Sequence, residues 1–299
     1  MPRAERAGAR VLHSTRVERV RIDAGAVRGV DAVRADGMRV AIDAPLVCVA
    51  AGVLETPALL LRSGIKGRVG QGLQFHSSVH VTARFPDPVH GYYGPTMAYA
   101  VDELADVHGR RGPGVMIESV TVHPIVTASA LPGFGVAHAE TMAALPYLAR
   151  ALVVIHDRTR GTMTADGAVT YELAADDLER LRAGMIGAAS CYLNAGADEV
   201  ILPINGIAPI RRESDLPAVL KMPLRASDLA ILYAVHLFGG AAMGGTPAQG
   251  ACDARGAVFG VRGLHVVDAA SLPSATGVNP QITIVANALR LATEIVGAA

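Results

Sequence analysis

Leu46-Val47-Cys48-Val49-Ala50-Ala51-Gly52-Val53-Leu54-Glu55-Thr56-Pro57-Ala58-Leu59-Leu60-Leu61-Arg62-Ser63-Gly64-Ile65 is the stretch from which the fold class follows. Residues 46–50 are continuously apolar rather than alternating, the pattern of a strand buried on both faces. Gly52 ends the run, Leu54–Arg62 reads as a helix, and Ser63-Gly64 closes it. Strand, glycine turn and helix in that order are α/β in character. Gly52 has two readings: it supplies the backbone freedom of a tight turn, or it lets the backbone approach a ligand.

Upstream, Val11–His13, Val17–Ile22, Val27–Val33 and Met38–Ile42 are short β-compatible runs, punctuated by Asp23-Ala24-Gly25 and Ala35-Asp36-Gly37. Downstream, residues 74–225 hold separated strand candidates at Val79–Phe85, Val115–Val122, Leu152–Ile155 and Val169–Leu173. Asp176–Leu193 reads as a helix with a polar start. An antiparallel sheet with attached helices is expected here. From Ala226 the α/β character returns, with a strand candidate at Leu264–Asp268 and a helix at Pro280–Val296. Ile282, Val285, Leu289, Ala292 and Val296 fall on one helical face. Asn279 is a favoured N-cap and Pro280 suits the first turn. One domain is thus expected from residues 1–74 and 226–299, with 75–225 inserted as a second.

Composition narrows the class. Hydrophobic residues make up 51% of the 299, yet aromatics are only 4% and Trp is absent, so aliphatic side chains must fill the core. The longest apolar stretch, Leu46–Leu61, is interrupted by Glu55, Thr56 and Pro57, and a membrane span needs roughly 20 apolar residues. Charge is balanced at 27 basic against 27 acidic residues, with no basic run to engage nucleic acid. Cys48, Cys191 and Cys252 are scattered and odd in number, which suggests neither a disulfide framework nor a metal site. The opening Met1-Pro2-Arg3-Ala4-Glu5-Arg6 has no apolar core for a signal peptide. A cytoplasmic protein without a metal is expected.

Two further stretches bear chemistry. His236-Leu237-Phe238-Gly239-Gly240-Ala241-Ala242-Met243-Gly244 sets an imidazole beside small apolar residues. Those neighbours leave room for a planar ring or a substrate, and an imidazole suits proton exchange near neutral pH. The plain alternative is a structural histidine. Val266-Val267-Asp268-Ala269-Ala270-Ser271-Leu272-Pro273, followed by Gly277-Val278-Asn279-Pro280-Gln281-Ile282-Thr283, reads locally as a strand, a loop and an Asn-Pro helix cap. The helix start would also present free N–H groups and a positive dipole end to an anionic group.

Taken together, these stretches resemble the glucose-methanol-choline (GMC) oxidoreductase family. Ala51 to Ile65 is similar to its second signature, in which Ala-Gly is followed by Thr/Ser-Pro, aliphatics and Ser-Gly-Ile. Val69-Gly70-Gln71-Gly72-Leu73-Gln74-Phe75-His76 resembles its Val-Gly-x-Asn-Leu-x-x-His segment, with Gly72 where Asn is usual. His236 to Gly244 resembles the catalytic His-x-x-Gly-x-x-x-Met-Gly motif, and Asp268 to Thr283 the closing flavin-contact segment. Gly239-Gly240 and Gly277-Val278-Asn279-Pro280 point to the long-chain alcohol oxidase and cholesterol oxidase branches, because other branches carry a second His at position 279. The resemblance implies FAD as cofactor and oxidation of an apolar alcohol by hydride transfer to flavin N5. It implies that His236 is the acid/base and that Asn279 bonds the substrate oxygen. Val17, Gly52, Asp268, Ala269, Pro280, Gln281 and Thr283 would meet the cofactor, Val17 through its backbone at the adenine.

A family member is also expected to open with strand, Gly-x-Gly-x-x-Gly and helix. The nearest string, Gly70-Gln71-Gly72-Leu73-Gln74-Phe75, lacks the third glycine. The expected fold is therefore α/β (α+β): the C-terminal part of a Rossmann-like FAD domain with an inserted antiparallel-sheet substrate domain. The N-terminal βαβ unit is expected to be absent, and to be supplied by a missing segment or separate subunit. Two rival expectations stand: a flavin-containing lyase of the same family, and an inactive fragment or association subunit.

Overall fold

The computed structural model describes residues 2–105 and 113–297. After a short helix, α1 (Pro2–Arg6), the chain forms an antiparallel meander of β1 (Thr15–Asp23), β2 (Ala26–Arg34) and β3 (Arg39–Asp43). Ala24 and Gly25 both take positive φ, 48° and 71°. That is the two-residue turn whose twist matches paired strands. Val11–His13, expected as a strand, pairs with no strand among the described residues and only leads into β1. Next come β4 (Val47–Val49), α2 (Gly52–Arg62), β5 (Gln71–Phe75), β6 (Ser78–Arg84), β7 (Ala100–Val101) and β8 (Val115–Val120). Helices α3 (Pro124–Ala130) and α4 (Gly135–Ala143) precede β9 (Leu148–Ile155), β10 (Gly161–Met163) and β11 (Val169–Thr170). The chain continues through α5 (Ala175–Asn194), β12 (Glu199–Ile201), α6 (Leu216–Lys221), β13 (Leu237–Phe238), β14 (Leu264–Val266) and α7 (Gln281–Gly297). β8 and β11 stop short of their expected ends at Val122 and Leu173.

Two cores hold this together. The first lies among the meander, α2 and the parallel pair β4–β14, with Val20, Val27, Val49, Leu59, Leu60, Leu73, Phe238, Leu264 and Val266 inside. Strands from the two ends of the chain thus pair within this core. The second core belongs to the five-stranded antiparallel sheet β12-β6-β9-β8-β7. Val79, Val81, Val115, Ile117, Val153 and Ile155 turn to α5, where Leu181, Met185 and Ala188 meet them. Gly184 is the point of closest approach, since a Cβ there would stand 2.3 Å from Val153 Cγ1. A third sheet, β11-β10-β5-β13, joins residues from both sides of position 74.

Two expectations fail on burial. Residues 46–50 were to be covered on both faces, but Leu46 and Cys48 are exposed and only Val49 is buried within β4. β4 has the single neighbour β14 among the described residues, and its core lies on one side. The apolar stripe of α7 is likewise outward: Ile282 is 83% and Leu289 65% exposed, while Leu291 is the buried residue. Periodicity identifies an apolar stripe and says nothing of what covers it. Among the described residues, no helix is long and apolar enough to cross a membrane.

Candidate active site

The parallel strands β4 and β14 run toward the start of α2, the place where α/β sheets bind ligands. Gly52 opens α2 at φ 89°, and a Cβ built there meets nothing within 4 Å. Its N–H donates to Asp268 Oδ2 at 2.7 Å, and Thr56 Oγ1 donates to the same oxygen at 2.6 Å. The other oxygen, Oδ1, accepts from Ala270 N at 2.9 Å. Asp268 thus clasps the first turn of α2 to the turn at 269–271, its charge at the positive end of the helix. Ala269 is buried beside it. Thr56 is a member that sequence reasoning did not single out, although the Thr-Pro pair of the second signature marked it.

The second half of the site is a pair of imidazoles. β13 lies against β5 because Gly239 and Gly240 carry no side chain: a Cβ would fall 2.3 Å from Gly72 O at the first and 2.6 Å from Pro57 Cγ at the second. This brings His236 to His76. His76 N donates to His236 O at 3.1 Å, and the two Nδ1 atoms are 3.1 Å apart, with the rings edge-on at 86°. Gly277 N donates to His76 Nε2 at 3.0 Å. His156 stands nearby, its ring centroid 6.3 Å from that of His76. Burial, followed by the His236 and His156 imidazoles, holds His76 down to about 3. Burial also lowers half-buried His236. His76 is the second residue missed beforehand; its signal was the last position of the Val69–His76 segment.

Asp157 braces the pair. It is fully buried and accepts from Ser77 N at 2.8 Å, Ser77 Oγ at 2.7 Å and Tyr171 OH at 2.6 Å. Burial pushes its carboxyl up to about 6 despite those bonds. Gln74, also buried, bonds Asp157 O through Nε2 and accepts from Ala275 N at 2.8 Å.

Asn279 is placed otherwise than expected. The first helical bond of α7 runs from Ile284 N to Pro280 O at 2.8 Å, so Pro280, not Asn279, holds the N-cap position. The Asn279 side chain turns instead to the middle region, 3.5 Å from Met97 Sδ and in reach of Glu118. Glu118 is buried on β8; burial raises its carboxyl and the Asn279 bond works against that. Asn279 Oδ1 and Glu118 Oε2 are both buried without a partner among the described residues. Of the remaining residues singled out in the sequence, Pro280 is buried, while Gln281 and Thr283 are exposed on the first turn of α7. Val17 packs on the first core from β1. Gly52, Asp268 and Ala269 form one group, His236 joins His76 and Gly277, and Asn279 lies on the same loop as Gly277.

Comparison with known proteins assigns the chain. Two family models described as GMC oxidoreductase, for the N- and C-terminal domains, match residues 1–78 and 157–288. The chain belongs to the GMC oxidoreductase family. The first match narrows the expectation of an absent N-terminal unit, since residues 1–78 are themselves recognised as N-terminal family sequence. A GMC-type oxidoreductase of Mycobacterium tuberculosis is 35% identical over 302 residues, covering 99% of this chain and 47% of the relative. A long-chain-alcohol oxidase of Arabidopsis thaliana is 27% identical over 277 residues, covering 87% of this chain and 37% of the relative. The chain therefore spans about half the length of the curated GMC-type relative that it matches. In fold it is similar to a pyridoxine 4-oxidase from Mesorbium loti, with a TM-score of 0.64 at 19% identity over 94% of this chain and 57% of that one. It is also similar to a formate oxidase of Aspergillus oryzae, with a TM-score of 0.66 at 19% identity over 93% of this chain and 59% of that one.

Proposed function

We propose that this chain carries the alcohol-oxidising centre of an FAD-dependent oxidoreductase acting on CH–OH groups. FAD, when bound, supplies the acceptor for the hydrogen that leaves the alcohol carbon. The residues present suit it. Gly52 leaves open space where a side chain would intrude, and Asp268 with Ala269 forms a fixed floor beside it. His236 is the ring that exchanges a proton with the substrate hydroxyl, a role worth ~10²–10⁴-fold in rate. Asn279 would bond the same oxygen by donating from Nδ2, the amide atom now turned to Met97 Sδ and Glu118. The observation that carries this reading is the pairing of half-buried His236 with buried His76, itself bonded to Gly277 two residues before Asn279. Similarity to proteins named long-chain-alcohol oxidases supports apolar alcohols as substrates.

Further family structure would pack on the exposed sides of β4 and α7 and complete the dinucleotide site, because the sequence contains no Gly-x-Gly-x-x-Gly turn. The three unpaired cysteines suit a reducing, cytoplasmic setting. The test is anaerobic: the chain is expressed with a family dinucleotide-binding segment, loaded with FAD and mixed with long-chain primary alcohols. Bleaching of the yellow colour by alcohol is expected. Flavin that stays oxidised across the alcohol series would defeat the proposal.

A further inference from the structure

Two stretches of the middle region carry no charge. Residues 119–139 contain no Asp, Glu, Lys or Arg, where a chain with 18% charged residues would place about four, and residues 88–101 contain none either. The fold joins the two. Val122 N donates to Gly91 O at 2.8 Å, Met97 N to Ser119 O at 2.8 Å and Thr121 N to Thr96 Oγ1 at 3.3 Å. Gly91 permits the approach, because a Cβ there would stand 2.6 Å from Val122 Cγ2. Helices α3 and α4 follow directly, tied to each other between His138 Nε2 and Ala128 O at 2.8 Å. On this uncharged unit Phe134 is 92%, Tyr93 88% and Ile125 and Val136 each 75% exposed.

We propose that residues 89–97, α3 and α4 form a docking surface for a zwitterionic lipid bilayer, which supplies alcohols dissolved in it to the side of Asn279. The docking stands on the surface itself; the supply step rests on the reading of the site as an alcohol-oxidising centre. Phenyl, phenol and branched aliphatic side chains gain by leaving water for the acyl boundary, and no ion is desolvated with them. Tyr93 suits the headgroup level, where a ring is covered and its hydroxyl stays wet. A protein partner calls for a different surface, because interfaces are rimmed by polar residues. The apolar stripe of α7 has that form, with the Arg290–Glu294 ion pair at 2.9 Å on the same helix as Leu289. The unit of α3 and α4 lacks Lys and Arg up to position 139, so anionic headgroups add no attraction. It also reaches the proposed site: Met97, bonded to Ser119, sets its Sδ 3.5 Å from Asn279 Nδ2.

The test needs neither FAD nor turnover. The full chain is mixed with phosphatidylcholine vesicles and floated through a density gradient at low and at high salt. Wild type is expected to rise with the vesicles equally at both salts, and no better when phosphatidylserine is added. Phe134→Asp should weaken partitioning by roughly 10- to 100-fold, the worth of one large apolar side chain, and Ile125→Asp should act in the same direction. Both side chains stand in solvent, so the fold should survive; Phe134→Ser, which adds no charge, should also weaken binding. Leu289→Asp on α7 should bind as wild type does. The proposal is overturned if wild type stays at the bottom of the gradient, or if capture requires anionic lipid or is lost at high salt. It is equally overturned if Leu289→Asp abolishes capture while Phe134→Asp and Ile125→Asp retain it. A lipid-free dimer that Phe134→Asp converts to monomer, with no vesicle capture by wild type, would make the surface a joint between copies instead. Should vesicles capture the chain while alcohols leave FAD oxidised, the functional reading fails and the docking surface stands; bleaching without capture fails this proposal alone.

Discussion

The two faces of the five-stranded sheet β12-β6-β9-β8-β7 are built from the same strands and do opposite work. Toward α5, the buried residues Val79, Val81, Val115, Ile117, Val153 and Ile155 are aliphatic, and Gly184 lets the helix settle onto Val153 and Val115. Register puts Glu118, Leu152 and His80 in one row of the other face, with Val120, Arg150 and Thr82 in the next. These are buried as well: Arg150 is 2% exposed, His80 and Glu118 6% each. Burial lowers His80 to about 3 and Arg150 to about 10. His80 Nδ1, Glu118 Oε2 and two Arg150 nitrogens lack partners among the described residues. Strands with a polar alternate residue usually turn it to water; here the alternation separates a packing face from a face turned to Asn279 and Tyr233. Polar residues held dry at a cost to stability suit the chemistry proposed beside this face.

The comparison breaks or sharpens through four experiments. The largest effect is expected beside the polar face. His236→Ala should slow alcohol-driven flavin bleaching by ~10²–10⁴-fold while the melting temperature moves little, because the ring is half-buried. A large drop in melting temperature with unchanged bleaching would make His236 structural. On the α5 face the order reverses. Leu181→Ala should lower the free energy of unfolding by ~2–5 kcal/mol in urea titration and leave the bleaching rate per folded molecule intact.

The third experiment reads pH. His76 and His80 are held to about 3 in the fold, below their ordinary 6.5, so the native state binds fewer protons than the unfolded chain between those values. Their contribution is present above pH 6.5 and lost as pH falls toward 3. Melting temperature should therefore fall with acidification through that window, and His80→Gln should flatten the fall. Equal slopes in both proteins would remove His80 from the account. The smallest effect belongs to Glu118→Gln, which keeps shape and should shift the unfolding free energy by less than about 1 kcal/mol. Burial raises the Glu118 carboxyl, so its contribution is full at acid pH and fades as pH rises. The Gln variant should gain on wild type as pH rises above the ordinary carboxylate range, and a relative loss would contradict that sign.

Much of this organisation is legible in the residues. The strand–Gly52–helix unit, the return of the C-terminus to it and the helix α5 all follow from local pattern. What escapes is neighbourhood. Cys48 and Leu289 are apolar in pattern yet exposed, because a stripe does not reveal its cover. Asn279 next to Pro280 has the form of a cap, and only the Ile284-to-Pro280 bond shows that the helix begins one residue later. His76 could be quoted as part of a motif without its purpose, since its partner lies 160 residues away. Thr56 and Asp157 are ordinary residues in sequence and acquire meaning through Asp268 and Ser77.

The clasp from Asp268 to Gly52 spans 216 residues. On a ribosome adding about 5–20 residues per second, α2 would wait roughly 10–40 s for the carboxylate that closes its first turn. During that interval the five-stranded sheet and α5, whose partners lie entirely between, are free to form first. The proposed site is then among the last parts of the protein to exist, and a nascent chain stalled before Asp268 would be folded in its middle and without this clasp.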